Sequence, residues 1–341
     1  MINSLLDSLL DRTVIGGYTN VGYRIRSRRW NPSELPRMDG TVVLVTGASS
    51  GLGFAAAEGF ARLGAAIWLV ARSTERGEEA RTRIVERSGN RDVHLGVCDL
   101  SHLDSVRQFA CRFRDQASRL DVLVNNAGVL TEERALSKDG IELTLATNVI
   151  GPFLLTNLLI PLLQESAPAR IVNVSSGGMY TQRIRVDDLQ SERDQFDGAT
   201  VYARSKRAQV ILTELWAQRL ADTGVVVHAM HPGWSDTPGI RSSLPRFYKA
   251  TQPLLRTPEQ GADTIVWLGA AAEPGRSSGR FWHDRRQRPT HLLPWTRETR
   301  EERERLFAEC ARLSGSDGVA MASASSANPQ GESYGPLPSI N

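Results

Sequence analysis

Cysteine is scarce in this sequence. Its 341 residues include three cysteines, and no two of them form a CxxC pair. An odd number of cysteines without such a pair argues against a disulfide framework and against a zinc site. We therefore predict no metal, and we expect Cys98, Cys111 and Cys310 to be buried structural thiols in a reducing compartment.

Long apolar runs and a strong charge imbalance are also missing. No run of about 18 apolar residues occurs, which argues against a transmembrane segment. The N-terminus lacks the basic and apolar stretches of a signal peptide, so we expect a cytoplasmic protein. The net charge of +3 gives no reason to expect nucleic acid as a partner. Lysine occurs at only three positions, so a lysine within a motif is informative.

From residue 41 onward, short apolar runs alternate with segments of helical length. The runs predicted as buried parallel strands are Thr41–Thr46, Ala66–Ala71, Val93–Val97, Asp121–Val124, Arg170–Val174, Val225–Ala229 and Gly279–His283. The predicted helices are Phe54–Leu63, Glu75–Glu86, Leu103–Ala117, Ile141–Leu163 and Val201–Ala221. This alternation predicts an α/β fold of the Rossmann type, a doubly wound parallel sheet in a three-layer α/β/α arrangement. We expect a single catalytic domain over residues 37–313.

The N-terminal 36 residues precede the first predicted strand. A helical extension is expected there, because Ile2, Leu5, Leu6, Leu9 and Leu10 fall at helical spacing. A basic stretch from Arg24 to Arg29 follows. We expect the extension to pack on the domain or on a partner, and the alternative is a weak peripheral membrane contact.

The C-terminal part of the chain is predicted to hold one helix and a tail. Charges of alternating sign at helical spacing over Thr296–Leu313 predict an exposed helix. Residues 314–341 are rich in Ser, Gly, Ala and Pro and cannot bury enough surface to offset the entropy of ordering. We therefore expect a disordered tail.

A glycine-rich turn follows the first predicted strand and precedes a helix. Glycines allow a tight turn and a close approach of the backbone to a pyrophosphate, and the helix N-terminus supplies free N–H groups. The spacing is GxxxGxG rather than the GxGxxG of the general dinucleotide fingerprint. The predicted phosphate-binding residues are Gly47, Ser49, Ser50, Gly51, Leu52 and Gly53.

A tyrosine and a lysine four residues apart form the candidate catalytic pair. Tyr202 and Lys206 share one face of a predicted helix. A lysine ammonium close to the phenol is expected to lower the tyrosine pKa from about 10 towards neutrality, which suits general acid–base catalysis. Ser176, or its neighbour Ser175, ends a strand where its hydroxyl can stabilise charge on a substrate oxygen.

Together and in this order, these motifs resemble those of the short-chain dehydrogenase/reductase family, over roughly residues 38–290. The resemblance implies oxidoreductase activity, selects Ser176 over Ser175, and adds Asn148 as the fourth member of a catalytic tetrad, which holds a helix irregularity and a proton-relaying water. It implies hydride transfer between a nicotinamide cofactor and a carbonyl or alcohol carbon. It also implies cofactor contacts at Asp99, Leu100, Asn125, Ala127, Gly128, Tyr202, Lys206, Pro232, Gly233 and Thr237.

The second strand indicates which nicotinamide cofactor is bound. An NAD site usually has Asp or Glu at its end to accept from the ribose 2′-hydroxyl. This chain has Ala71 followed by Arg72, and a guanidinium can hold a 2′-phosphate by two parallel hydrogen bonds. We therefore predict NADP(H).

The substrate side contains features of one branch of the family. The gap between Ser176 and Tyr202 holds a polar insert, 177–200, about twice the usual family length, as in the retinol-dehydrogenase-like branch. A nearer resemblance, to one member of the family, rests on Ser175–Met179, Asp188–Arg193, Phe196–Gly198, Met230–Trp234, Asp236–Gly239, Gln260–Thr264 and Ser278–Phe281. Trp234, Leu244, Phe247 and Tyr248 line an apolar pocket in one interpretation and belong to the core in the other.

The expected substrate is an apolar carbonyl or alcohol, either lipid-, retinoid- or steroid-like or a foreign compound. Two alternatives remain open: an extended-type nucleotide-sugar epimerase or dehydratase, and a non-catalytic NADP(H)-binding sensor. A homodimer or homotetramer is expected, formed through the predicted helices Ile141–Leu163 and Val201–Ala221.

Overall fold

The computed structural model describes residues 13–193, 195–243 and 245–316. Its centre is an eight-stranded sheet in the order β3-β2-β1-β4-β5-β6-β7-β8. Only β8 runs antiparallel to its neighbour. The strands are β1 (Val42–Thr46), β2 (Ala66–Ala71), β3 (Val93–Val97), β4 (Val122–Asn125), β5 (Ala169–Val174), β6 (Val225–Met230), β7 (Arg280–His283) and β8 (Arg286–Arg288). The predicted fold class is confirmed.

Helices cover both faces of the sheet. In chain order they are α1 (Val14–Tyr18), α2 (Asn20–Ser27), α3 (Gly51–Arg62), α4 (Thr74–Ser88), α5 (Leu103–Gln116), α6 (Leu143–Leu145), α7 (Gly151–Glu165), α8 (Gly198–Arg219), α9 (Pro238–Ser243), α10 (Pro245–Thr251), α11 (Pro258–Ala270) and α12 (Arg300–Ser314). Apolar side chains of α3, α4 and α11 form one core, and those of α5, α7, α8 and α12 form the other.

The central strands β1, β2 and β4 are apolar along almost their whole length because the sheet is buried there on both faces. Successive side chains of β1 illustrate this. Val43 and Val45 point into the core under α3, and Leu44 points into the core under α7. Since all strands but the last run in one direction, their carboxyl ends meet at one edge, where sheets of this kind bind ligands.

The predicted helix Ile141–Leu163 is interrupted in the structure. A π-helical turn, Ala146–Ile150, separates α6 from α7. The continuous segment Leu143–Glu165 is apolar and long enough to cross a membrane by length and composition, which corrects the expectation that no such segment exists. However, 83% of its apolar 18-residue window is buried inside the protein, as in the core helix of a soluble protein.

Two predictions about exposure are wrong. The helix α12 is not a freely exposed helix, because Leu306, Phe307, Cys310 and Ala311 are buried against α7 and α8. Charges on its outer face hid this apolar stripe in the sequence. Cys98 and Cys310 are buried as expected, but Cys111 lies on the outer face of α5 and is exposed.

The predicted N-terminal helix at residues 2–10 and most of the predicted tail lie outside the described residues. Within the described chain, α1 and α2 pack beside the carboxyl ends of β6 and β7, where Arg26 is buried against Asp284. At the other end, Gly315 ends α12 in the left-handed conformation.

Candidate active site

The glycine-rich turn forms a tight cradle between β1 and α3. Gly47 has a φ of +66°, which favours glycine, and a Cβ at Gly53 would overlap the carbonyl oxygen of Gly47. Ser50 is the N-cap residue of α3, and its side chain makes no capping hydrogen bond. The turn therefore leaves N–H groups of the first helical turn for an anion, as a pyrophosphate site requires.

An asparagine that the sequence analysis did not select holds this turn in place. Asn126 donates from Nδ2 to the carbonyl of Thr46 at 2.8 Å. The Thr46 hydroxyl in turn accepts from the main-chain N–H of Asn126 at 2.9 Å and of Ala127 at 3.1 Å. The side chain of Asn125, by contrast, is buried and donates to Thr156 and Asn173, so it supports the sheet rather than facing the cleft.

Two candidate cofactor residues lie at the ends of β2 and β3. Arg72 is exposed, and within the described residues it makes no ion pair. Asp99 accepts from the N–H and hydroxyl of Ser101 at 3.0 and 2.7 Å. The side chain of Leu100 is packed into the core, so of this residue only the main chain lies at the strand end.

Ser176 and Tyr202 come together as predicted. Tyr202 lies in the first turns of α8, and Ser176 follows β5 directly. The Ser176 side chain lies close enough to that of Tyr202 to act on its pKa, and its Oγ accepts from the N–H of Gly178 at 3.2 Å. Ser175 is turned away, since its hydroxyl donates to the carbonyl of Lys206 at 2.8 Å. The structure thus places the second serine, not the first, beside the phenol.

Lys206 is buried next to this pair, with a 3% exposed surface. Its Nζ donates to the carbonyl of Val174 at 2.9 Å and to Oε1 of Gln209 at 3.1 Å. It lies 5.5 Å from the centroid of the Tyr202 ring. A Cβ at Gly128 would lie 3.3 Å from the same Nζ, so the missing side chain at Gly128 leaves space in front of the lysine.

The expected effect of Lys206 on the tyrosine pKa is not observed. Burial raises the pKa of Tyr202 above its ordinary value, and the hydrogen bond with Ser176 only partly offsets this. Burial also lowers the pKa of Lys206 to about 7. The prediction was wrong because it considered only the spacing of the two residues. Burial removes water from both side chains and so disfavours both the phenolate of Tyr202 and the ammonium of Lys206.

Asn148 lies in the π-helical turn and is fully buried. Its Oδ1 accepts from the N–H of Val129 at 2.8 Å, and its Nδ2 donates to the hydroxyl of Ser205 at 2.9 Å. The link to Lys206 runs through Gln209, which the sequence analysis missed. Gln209 accepts from Lys206 and donates from Nε2 to the carbonyl of Asn148 at 2.7 Å. Only its spacing of three residues from Lys206 signalled this role.

The turn after β6 faces the glycine cradle. A Cβ at Gly51 would lie 3.4 Å from the methyl carbon of Thr237, so Thr237 lies across from the cradle. Gly233 has a φ of +72° and lies directly against Arg256. The N–H of Trp234 donates to the carbonyl of Tyr18 at 2.7 Å. The turn that contains Pro232 and Gly233 is therefore held partly by the N-terminal helices.

The structure describes the side chains of two of the four candidate pocket residues, Trp234 and Tyr248. Trp234 is half-buried, and its ring lies 5.8 Å from that of Tyr18. Tyr248 is half-buried, with the guanidinium of Arg241 5.5 Å from its ring centroid. Leu244 and the side chain of Phe247 lie outside the described residues. Of the insert 177–200, Ile184 and Val186 are buried in the core that α12 also joins.

Comparisons with known proteins assign the chain to a family. The model of the short chain dehydrogenase family matches residues 41–245, and the chain belongs to that family, whose members bind NAD or NADP. The members of this family are oxidoreductases.

The branch of the family predicted from the sequence is confirmed as well. The chain is 44% identical to dehydrogenase/reductase SDR family member 12 of Bos taurus, over 85% of this chain and 92% of the relative. It is 36% identical to retinol dehydrogenase 12 of Bos taurus, over 81% and 87%. A solved structure of a putative uncharacterized protein from Mycobacterium paratuberculosis matches with a TM-score of 0.67 and 29% identity, covering 84% of this chain and 97% of that one. The two named relatives are dehydrogenases or reductases. They therefore favour neither a nucleotide-sugar epimerase or dehydratase nor a non-catalytic NADP(H)-binding sensor.

Proposed function

We propose that this protein is an NADP(H)-dependent oxidoreductase that interconverts a carbonyl and an alcohol at Ser176, Tyr202 and Lys206. One observation carries the proposal. The Ser176 hydroxyl lies beside the Tyr202 phenol, close enough to act on its pKa, and a buried lysine lies next to both, at the sheet edge that also holds the glycine cradle. Two hydroxyl groups directed at one point can bind and protonate a single substrate oxygen.

The cradle fits a dinucleotide. Gly47 and Gly53 leave no room for side chains, and the N-terminus of α3 lacks a side-chain cap. The bound nicotinamide would supply the hydride in reduction and accept it in oxidation. The main chain of residues 47–53 and the N–H groups of α3 would hold the phosphates.

Side chains of the protein transfer the proton and orient the substrate. In reduction, the phenol of Tyr202 donates its proton to the carbonyl oxygen, which becomes the alcohol hydroxyl. Ser176 donates a hydrogen bond to the same oxygen and fixes its position. The raised pKa of the free phenol keeps it protonated for this step, and a protonated Lys206 near the ribose would favour the phenolate that remains.

Gln209 and Asn148 position Lys206. The amide of Gln209 links the ammonium to the main chain of the π-helical turn, and the side chain of Asn148 holds that turn against Val129. This network fixes the direction of Nζ without providing a countercharge. Because burial lowers the pKa of Lys206 to about 7, the negative charge of a bound cofactor would favour the protonated form of the amine.

The preference for NADP(H) rests on the end of β2. Ala71 supplies no carboxylate, and Arg72 is an exposed guanidinium that has no ion-pair partner in the described chain. A 2′-phosphate is the group that such an arginine would bind with two parallel hydrogen bonds. Relatives named retinol dehydrogenases and the aromatic side chains around Trp234 support an apolar substrate.

The catalytic proposal is tested by Tyr202→Phe. We expect reduction of an aldehyde panel to fall by about a hundredfold or more, because the proton donor is removed. NADPH binding, measured by fluorescence, should stay within about twofold. Tyr23→Phe is the matched control, since Tyr23 lies on α2 against Trp30. Full activity of Tyr202→Phe would refute the assigned role.

The cofactor proposal is tested by Arg72→Ala. We expect the affinity for NADPH to fall about tenfold, because a charge-assisted contact to the 2′-phosphate is lost. The affinity for NADH, which lacks this phosphate, should change little. Arg91→Ala, an exposed arginine beyond α4, serves as control. Equal losses for both cofactors would contradict the assignment.

A further inference from the structure

The N-terminal helices contact the catalytic segment directly. The ring of Tyr18 lies so close to Gly177 that a Cβ at that glycine would overlap its Cε1 and would lie 3.1 Å from its hydroxyl. Gly177 follows Ser176, whose hydroxyl lies beside Tyr202. A residue far outside the family motifs therefore lies one position from the candidate catalytic serine.

Tyr18 also contacts the turn on the nicotinamide side of the cleft. Its ring stacks on His231 at 5.1 Å and tilts against Trp234 at 5.8 Å between centroids. Its carbonyl accepts from the N–H of Trp234. Tyr18 thus bridges the segment after β5 and the turn after β6, which flank the place where a substrate must meet Ser176.

Buried charges fix the position of this tyrosine. Arg256, 1% exposed, donates to the carbonyls of Gly17 at 3.1 Å and Tyr18 at 3.2 Å. It also pairs with Asp284 at 2.6 Å, and Arg26 pairs with the same carboxylate at 2.9 Å. The main chain on either side of Tyr18 is held by directional hydrogen bonds, so its ring is a rigid surface rather than a loose terminus.

Resting on the proposed function, we propose that the N-terminal segment completes the substrate pocket, and that Tyr18 with Trp234 forms an aromatic wall that selects flat, apolar carbonyl compounds. Both residues are only partly buried, so each keeps some accessible surface. Offset stacking and edge contacts with a planar ring favour such substrates over short aliphatic ones. Tyr18 is a specificity-determining residue in this proposal and takes no part in proton transfer.

The test compares 2-naphthaldehyde with propanal as substrates for NADPH-dependent reduction. Tyr18→Ala is expected to lower kcat/KM for 2-naphthaldehyde by about fivefold to tenfold, mainly through KM, with propanal changed by less than about twofold. Tyr18→Phe keeps the ring and should resemble the wild type. Ile15→Ala, at an exposed position of α1, is the control. Equal effects on both aldehydes, or none on either, would overturn the proposal.

A second variant covers the case in which Tyr18→Ala displaces the whole segment. Gly177→Ala should push the ring aside and impair 2-naphthaldehyde reduction selectively, and adding Tyr18→Ala should bring no further loss. Additive losses would show that Tyr18 and Gly177 act independently on 2-naphthaldehyde reduction, and they would refute the proposed role of the Tyr18 ring.

A binding measurement separates this proposal from the proposed function. Equilibrium dialysis of 2-naphthalenemethanol with NADPH-loaded Tyr202→Phe needs no turnover. If the wild type reduces neither aldehyde, the proposed reaction fails on its own. Weaker binding when Tyr18→Ala is added would still support the aromatic wall, and unchanged binding would refute it.

Discussion

The two segments that flank the catalytic domain are attached by different physical means. The N-terminal helices α1 and α2 are held by buried charges. Arg26 and Arg256 converge on Asp284, whose pKa is held well below its ordinary value: burial opposes ionisation, but the charges of His283 and the two arginines outweigh it. The C-terminal helix α12 is held mainly by an apolar stripe, where the ring of Phe307 meets that of Phe153 at 5.0 Å.

The difference matches what each segment does. Ion pairs and hydrogen bonds to carbonyls are directional, so they set the position of Tyr18 beside the active site. Apolar packing is not directional, and it suits a helix that covers the faces of α7 and α8. Those two helices were expected at a subunit interface. In the described chain, α12 also packs on them. Their role in subunit association stays a prediction.

The largest effect is expected from Asp284→Asn. Asparagine tolerates the positive φ of 50° at this position, so the variant removes charge and little else. Two buried guanidinium groups lose their countercharge, and the free energy of unfolding should fall by about 3–5 kcal/mol. Urea denaturation measures this. Asp39→Asn, whose pair with Arg37 is exposed, should leave the stability almost unchanged.

The same carboxylate gives a pH signature. Its folded-state pKa lies below that of the unfolded chain, so its contribution is present above about pH 3.9 and is lost as the pH falls below that value. The wild type should lose stability faster than Asp284→Asn between about pH 4 and 2. Parallel curves would show that the charge cluster does not anchor the N-terminal segment.

A somewhat smaller effect is expected from Leu306→Ala on α12. The cavity beneath the helix should lower the free energy of unfolding by about 2–4 kcal/mol. The kcat/KM ratio for 2-naphthaldehyde over propanal should stay unchanged, because Leu306 packs into the core beneath α7 and α8, whereas the proposed aromatic wall consists of Tyr18 and Trp234. Arg305→Ala, on the exposed side of the same helix, is the control. A shift in this ratio would break the contrast between the two segments.

The smallest effect is expected from Arg183→Ala. Arg183 pairs with Glu302 on α12 at 2.7 Å, but its side chain is half exposed. Exposed pairs contribute about 0.2–1 kcal/mol, so thermal unfolding should shift by only a few degrees. A loss as large as that of Leu306→Ala would mean that charge, rather than the apolar stripe, holds the C-terminal helix.

Local patterns in the sequence were sufficient for much of the site. The strand runs agree with the observed strands to within about one residue because a sheet buried on both faces demands continuous apolar runs. The spacing of Tyr202 and Lys206 and the glycine pattern of the turn are local as well. Asn126 was missed because its neighbour Asn125 matches the same motif, and only the fold shows which side chain faces the glycine turn.

Contacts between distant residues could not be predicted in this way. No sequence pattern brings Tyr18 to Gly177, since 158 positions separate them and the contact exists only when α1 lies across the ends of β5 and β6. The two pKa shifts at the catalytic pair are of the same kind. Burial depends on everything packed around a residue, whereas the sequence shows only its neighbours along the chain.

The sequence alone therefore determined the strands β1 to β7, the glycine cradle and the Tyr202–Lys206 pair, because these depend on backbone periodicity and short spacings. The choice of Ser176 over Ser175 came from the family resemblance, and β8 was not predicted. The tertiary structure decided how water is excluded from Tyr202 and Lys206, which glutamine orients the lysine, and that the N-terminal segment reaches the substrate side. Those features depend on long-range packing and on buried charge, and both exist only once the chain has folded.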